Sequence, residues 1–135
     1  MAFGHPVSDV PVSMDVGRMA TRSGWILNEV AEVLAEDDVA DQAAELADIL
    51  YFVLGSFVEI GVDAEAVFDI IHTANMSKVF PDGKVHYDST GKVMKPSGFK
   101  PPKPLIHELV KALQAKGNVS ANSGDIASMT VLASD

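Results

Sequence analysis

Two pairs of acids stand out in the first half of the chain. They are Glu29-x-x-Glu32 and, thirteen residues further on, Glu45-x-x-Asp48. On a helix each residue advances by about 100°, so positions three apart share a face and each pair presents two carboxylates together. Both pairs border apolar stripes. If the two segments are helices packed antiparallel through those stripes, four carboxylates meet at one seam. Carboxylates gathered this way repel one another and persist when a cation neutralises them. Hard oxygen donors suit Mg²⁺, with Mn²⁺ able to substitute. Such an ion holds phosphate oxygens and activates a water for attack. Acids also serve simply to solvate helix faces, and the matched spacing on consecutive segments is what argues against that plainer reading.

A second group of polar residues follows. Asn75 and Lys78 share a helical face at the end of an otherwise apolar segment. There they suit either an anionic ligand or capping of the helix dipole. Six of the ten basic residues (Lys78, Lys84, Lys92, Lys95, Lys100 and Lys103) crowd into residues 78–103, a stretch rich in Gly and Pro. Lysines on such a loop act as point charges toward an anion, or merely keep the loop soluble.

The elements that must position these groups read as four helices. Ser13 or Asp15 caps a first helix over 15–36, where Met19, Ile26, Val30 and Val33 recur at helical spacing. Asp37-Asp38 breaks the chain before a second helix over 39–60, which Gly61 stops. Leu46, Ile49, Leu50, Val53, Phe57 and Ile60, with Tyr51, Phe52 and Leu54, make this helix apolar nearly all round. It therefore calls for burial on more than one side, by the rest of the fold or by a second subunit. Asp63 caps a third helix over 63–79. The prolines of 80–104 exclude a long helix there, and Val85–Tyr87 and Lys92–Met94 are placed to pair as a short hairpin across Asp88–Gly91. A fourth helix over 104–116 ends at Gly117. The domain limits are an extended arm over 1–14, the domain over 15–117, and a tail over 118–135 that reads as mobile, with Met129–Leu132 as a possible local contact.

Composition narrows the class. At 135 residues and 47% hydrophobic, the chain suits one domain. The net charge of −9 is unevenly spread: residues 1–75 hold fourteen acids against Arg18 and Arg22, net −12, while 76–135 hold eight lysines against five acids, net +3. An acidic protein disfavours a nucleic-acid duplex as partner. No apolar run reaches the roughly 18 residues of a membrane span, and the first residues do not read as a signal peptide. There is no cysteine, which fits a cytoplasmic location.

Glu29-x-x-Glu32 with Glu45-x-x-Asp48 resembles the signature of the all-α NTP pyrophosphohydrolase superfamily, which includes MazG-like proteins, dimeric dUTPases and phosphoribosyl-ATP pyrophosphohydrolases. The segments Ala74–Lys78, Asp82-Gly83-Lys84, Gly91-Lys92-Val93 and Lys95–Pro102 are similar to a MazG-like branch near phosphoribosyl-ATP pyrophosphohydrolase. The resemblance spans about residues 15–110. It implies a four-helix, all-α, MazG-like domain completed by homo-oligomerisation, as a dimer or tetramer, with a Gly/Pro/Lys-rich loop before the last helix. It also implies Mg²⁺-dependent hydrolysis of a (deoxy)nucleoside triphosphate, with dUTP as first choice, to monophosphate and pyrophosphate. Glu29, Glu32, Glu45 and Asp48 match the metal ligands and catalytic acids, with Glu32 a candidate to orient the water. Asn75, Lys78, Lys92 and Lys95 match substrate-binding positions. Asn28 stands where some relatives carry a further acid, and the arm before residue 15 is shorter than in many. Phosphoribosyl-ATP as substrate and a metal-dependent nucleotide-binding module with little turnover are the alternatives. Trp25, Tyr51 and Phe99 are candidates to stack on a base.

Overall fold

The computed structural model describes residues 3–131, with side chains for 3–117. The described residues form four helices: α1 (Val16–Ala35), α2 (Val39–Ile60), α3 (Ala64–Met76) and α4 (Pro102–Val131). None is long and apolar enough to cross a membrane. The chain divides into two compact units, Met1–Asp63 and Ala64–Asp135.

In the first unit, each helix boundary has a local cause. Asp15 caps α1, its Oδ1 accepting from the Arg18 amide at 2.9 Å. Asp38 caps α2 through the Ala40 amide at 2.7 Å, and Asp41 adds negative charge to the first turn, where the helix dipole favours it. Between the helices, the Gln42 side chain donates through Nε2 to the Glu36 carbonyl at 2.8 Å. This satisfies a backbone acceptor beyond the end of α1. Gly61 closes α2 in the left-handed conformation (φ 64°), its N–H directed at Phe57 O and Val58 O.

The helices α1 and α2 pack against each other. Arg18 meets Glu59, and Glu29 and Glu32 meet Glu45, so rising numbers on α1 pair with falling numbers on α2. The expected antiparallel hairpin is therefore present. The arm is bound rather than loose from Ser8 onward: Ser8 N donates to Val58 O at 3.2 Å and Val12 N to Ile60 O at 3.0 Å.

In the second unit α3 packs on α4. α3 ends at Met76 rather than at the expected 79, because residues 77–79 tighten into turns, with Lys78 N on Asn75 O and Val79 N on Met76 O. The expected hairpin is reduced to a single antiparallel bridge, Tyr87 to Val93, flanked by Met94 N to His86 O at 2.8 Å and Asp88 N to Lys92 O at 2.9 Å. α4 begins at Pro102 and continues through Gly117 to Val131, past the end expected from sequence. A lone glycine costs a helix only about 1 kcal/mol, and it stops one only by turning left-handed. The side chains of 118–131 and all of 132–135, and with them the proposed local contact at Met129–Leu132, lie outside the described residues, and the mobility of 118–135 remains an expectation from the sequence.

Burial is sparse. Among the described side chains only Pro11, Arg22, Glu59 and Ala74 are buried, and two of these four are charged. On α2, Leu46, Leu50 and Tyr51 are more than half exposed, so the apolar surface that the sequence marks for burial is uncovered in the single chain.

Gly61 joins the arm to α2. A Cβ there would strike the Val10 carbonyl and lie 2.8 Å from Ser8 O, on top of the cost of a left-handed non-glycine residue. Gly61→Ala should therefore lower stability by about 2 kcal/mol or more and expose the arm to limited proteolysis. Urea unfolding and the arm's cleavage rate check this together.

Candidate active site

At one end of the α1–α2 seam, carboxylate oxygens of Glu29, Glu32 and Glu45 lie within 4.8 Å of one another. α1 supplies the first two one turn apart, and α2 supplies the third. Asp48, one turn along α2, lies outside this tight group but close enough to act on Glu45 by charge. The structure thus brings three of the four expected acids together and leaves the fourth at their edge. The Glu45 carboxyl is pushed above its ordinary value, first by desolvation, then by the charge of Glu32, by a hydrogen bond and charge from Glu29, and by the charge of Asp48. Desolvation and negative neighbours both disfavour the charged carboxylate here, and a cation among the three would relieve both. Oxygen donors alone fit Mg²⁺ or Mn²⁺, so the residues present suit the ion that the spacing implies.

Two turns away along the same seam lies a group of residues that the sequence reading passed over. Arg22 is 4% exposed. Its Nε donates to Ser56 Oγ (3.1 Å), its Nη2 to the Phe52 carbonyl (2.6 Å), and its Nη1 faces Glu59 Oε1 at 3.4 Å. Arg18 grips the same Glu59 through two bonds, Nε to Oε2 at 2.8 Å and Nη2 to Oε1 at 2.6 Å. The hydrogen bond from Arg18 is the main reason that the Glu59 carboxyl sits below its ordinary range; the charges of Arg18, Arg22 and His5 add to this, and burial opposes it. His5 Nδ1 lies 3.2 Å from Arg18 Nη2.

Aromatic rings fill the space between. His5 lies 5.6 Å from Trp25, and Trp25 5.6 Å from Phe52, while the Arg18 and Arg22 guanidinium groups sit over Trp25 at 5.2 and 5.3 Å. A cavity of about 500 Å³ opens here, with Phe3, His5 and Val7 of the arm on one side and Tyr51, Phe52 and Val58 of α2 on the other. Of the stacking candidates, Tyr51 lines this cavity and Trp25 stands in the ring series beside it. The third, Phe99, lies in the second unit under the Lys95 ammonium, 4.9 Å from its ring centre.

The remaining sequence candidates are also in the second unit. Lys78 Nζ donates to Asn75 Oδ1 at 2.7 Å, so the expected shared face of these two is real. Lys92 stands on the hairpin, where its amide donates to Asp88 Oδ1 at 3.1 Å. Hydrogen bonds from Thr90, then from the Lys92 amide, hold the Asp88 carboxyl below its ordinary range. His86 pairs with Asp82 at 2.8 Å and lies against Phe80, so the loop has internal structure.

The model of the family described as phosphoribosyl-ATP pyrophosphohydrolase matches residues 1–75. That span holds the arm, α1, α2 and nearly all of α3, and it stops before Lys78, Lys92 and Lys95. A solved structure from Exiguobacterium sp. 255-15, named only provisionally as an NTP pyrophosphohydrolase, is similar over 84% of this chain and 90% of its own, with 29% identity and a TM-score of 0.51. No curated protein matches the chain.

The raised Glu45 carboxyl has a stability consequence. The folded chain holds this proton to higher pH than the unfolded chain does. Its contribution is therefore fully present below the unfolded carboxylate range and is lost as pH rises through the folded one. In EDTA, the wild type should lose thermal stability across that rise. Glu45→Gln should be more stable than wild type above it and show a flatter profile. Melting curves from pH 4 to 8 decide; a variant less stable than wild type at pH 8 in EDTA counts against the repulsion.

Proposed function

The chain belongs to the phosphoribosyl-ATP pyrophosphohydrolase family, within the all-α NTP pyrophosphohydrolases, and from that premise we propose that it cleaves the α–β phosphoanhydride of a nucleoside triphosphate, releasing a monophosphate and pyrophosphate. The observation that carries this reading is the meeting of Glu29, Glu32 and Glu45 across two helices. These three, with Asp48, are proposed to hold Mg²⁺, for which Mn²⁺ substitutes. When bound, a divalent cation there supplies charge neutralisation at phosphate oxygens and increased acidity of a water.

The chain's own residues divide the remaining work. Glu32, the exposed member of the three, is proposed to orient the attacking water and take its proton. The aromatic cavity is proposed to take the base. Arg22 and Trp25 lie on the same stripe of α1 as Glu29 and Glu32, so the cavity begins about 10 Å along the helix from the acids, a distance suited to a nucleoside with its phosphates at the acid end. Flat rings such as Phe52 and Tyr51 stack on a base without reading its edge. Asn75, Lys78, Lys92 and Lys95 are proposed as phosphate contacts on their chemistry, since lysines meet phosphate as mobile point charges. A second copy of the chain is proposed to cover the exposed leucines of α2.

A deoxynucleoside triphosphate, dUTP first, is the proposed substrate. The description of the matching family favours a second reading, phosphoribosyl-ATP. A substrate panel separates the two, with products resolved by chromatography. One-step release of pyrophosphate and a monophosphate is expected, abolished by EDTA and by Asp48→Asn. Orthophosphate with a diphosphate would place attack at the γ-phosphate and overturn the reading. Tight nucleotide binding without product would leave only a binding module.

The lysines have a separate test. Replacing Lys92 and Lys95 by alanine should lower kcat/KM for every nucleotide alike, because the triphosphate charge is common to all. Each lost contact should cost about 1.5–3 kcal/mol, roughly ten- to a hundred-fold. Unchanged kinetics on two nucleotides would retire the phosphate role, and a changed ratio between them would assign the loop to the base.

A further inference from the structure

Arg22 is built into the seam in a way that does more than neutralise Glu59. Its three acceptors, Phe52 O, Ser56 Oγ and Glu59 Oε1, are four and seven residues apart along α2 and form one stripe of that helix. Ser56 Oγ itself donates to Phe52 O at 2.9 Å, so the fork meets a fixed surface. The guanidinium fits because residue 55 has no side chain. A Cβ there would collide with Arg22 Nη2 and stand 3.3 Å from Cζ and 3.4 Å from Nη1. A slide of α1 past α2 by one turn, about 5.4 Å, would break all three contacts and leave a buried cation without partners. The set therefore admits one register.

That register is also the one that assembles the acids. Glu29 lies seven residues beyond Arg22 on α1, and Glu45 lies seven residues before Phe52 on α2. Each is two turns from the arginine's contact, along the same seam. α1 and α2 are continuous helices over these spans, so the relative placement fixed at the Arg22 end is carried to the acid end. The acids cannot fix it themselves, because Glu29, Glu32 and Glu45 repel one another until a cation is bound. We infer that Arg22, seated in the space left by Gly55, is a positioning residue that sets the α1–α2 register and so preassembles Glu29, Glu32 and Glu45 for a divalent cation. This rests on the acid cluster being the metal site proposed above.

The test is Mn²⁺ binding followed by electron paramagnetic resonance on the full chain, alongside melting curves and far-UV circular dichroism. Arg22→Met and Gly55→Ala should each stay helical below their melting temperatures, yet bind Mn²⁺ on the order of ten-fold more weakly, the size of effect seen when support of a metal ligand is lost. The three atoms nearest to a Cβ at 55 all belong to the arginine. Gly55→Ala added to Arg22→Met should therefore cost nothing further. Gly61→Ala, destabilised at the far end of α2, should keep wild-type Mn²⁺ affinity. Should Arg22→Met fail to fold, Gly55→Ala carries the same readout with the arginine retained. Wild-type affinity in folded Arg22→Met or Gly55→Ala, or an equal loss in Gly61→Ala, overturns the inference and leaves Arg22 a stabilising residue only. A wild-type chain that binds no Mn²⁺ overturns the proposed metal site, and the inference with it.

Discussion

A buried arginine that meets three groups on one stripe of the neighbouring helix holds the first unit in its arrangement. Arg22 and Glu59 are two of the four buried side chains described, and both are charged. Apolar packing is tolerant: leucine and valine stripes slide past each other at modest cost, because hydrophobic attraction has no direction. A fork bonded to a carbonyl, a hydroxyl and a carboxylate is not tolerant. Breaking it strands a charge away from water, which costs far more than the net gain from making it. The lock therefore contributes more to which arrangement forms than to how stable it is.

The same seam carries opposite signs at its two ends. Arg18 and Arg22, the only basic residues before Lys78, both stand at one end, while Glu29, Glu32, Glu45 and Asp48 gather at the other. Trp25 and Phe52 stand with the arginines, the Arg18 and Arg22 guanidinium groups over the Trp25 ring and that of Arg22 near Phe52. Arginines one turn nearer would stand within reach of the acids and offer them internal ion pairs. Glu59 prevents the opposite failure. It satisfies both arginines locally, so that neither is drawn along the seam toward the acids.

Much of this was legible in the sequence, and the parts that were not share a cause. The start of α1 and the end of α2 follow from Asp15 and Gly61, whose cap chemistry acts over a few residues, and the break between the helices from Asp37-Asp38. The meeting of Glu29 and Glu32 with Glu45 followed from helical periodicity plus a short break. Arg22 was not legible, because its role depends on which α2 residues lie opposite. The signal was nonetheless present: Arg18, Arg22, Trp25, Glu29 and Glu32 recur at helical spacing on one stripe, and Gly55-Ser56 interrupts an apolar helix with two small residues. The length of α4 is not legible for a related reason. Gly117 reads as a stop, but glycine ends a helix only when the chain beyond it turns, and the residue itself does not specify that. The edge position of Asp48 is a matter of side-chain reach, which i, i+3 spacing does not determine.

The polar lock also explains how a chain with so little buried apolar surface can present an ordered site. Leu46, Leu50 and Leu54 form a stripe of α2 distinct from the one that meets Arg22, and they are 56%, 56% and 44% exposed. Full burial of such a side chain contributes about 1.5–3 kcal/mol, and about half of that is still to be gained at each, which makes this stripe an unused source of stability in the single chain. A second copy laid on it would supply that stability without touching the register of α1 on α2, because the two stripes face different ways. The energy of the fold and the geometry of its acids would then come from different surfaces of one helix: the leucine stripe would hold the assembly together, and the arginine stripe would decide where Glu45 stands relative to Glu29 and Glu32.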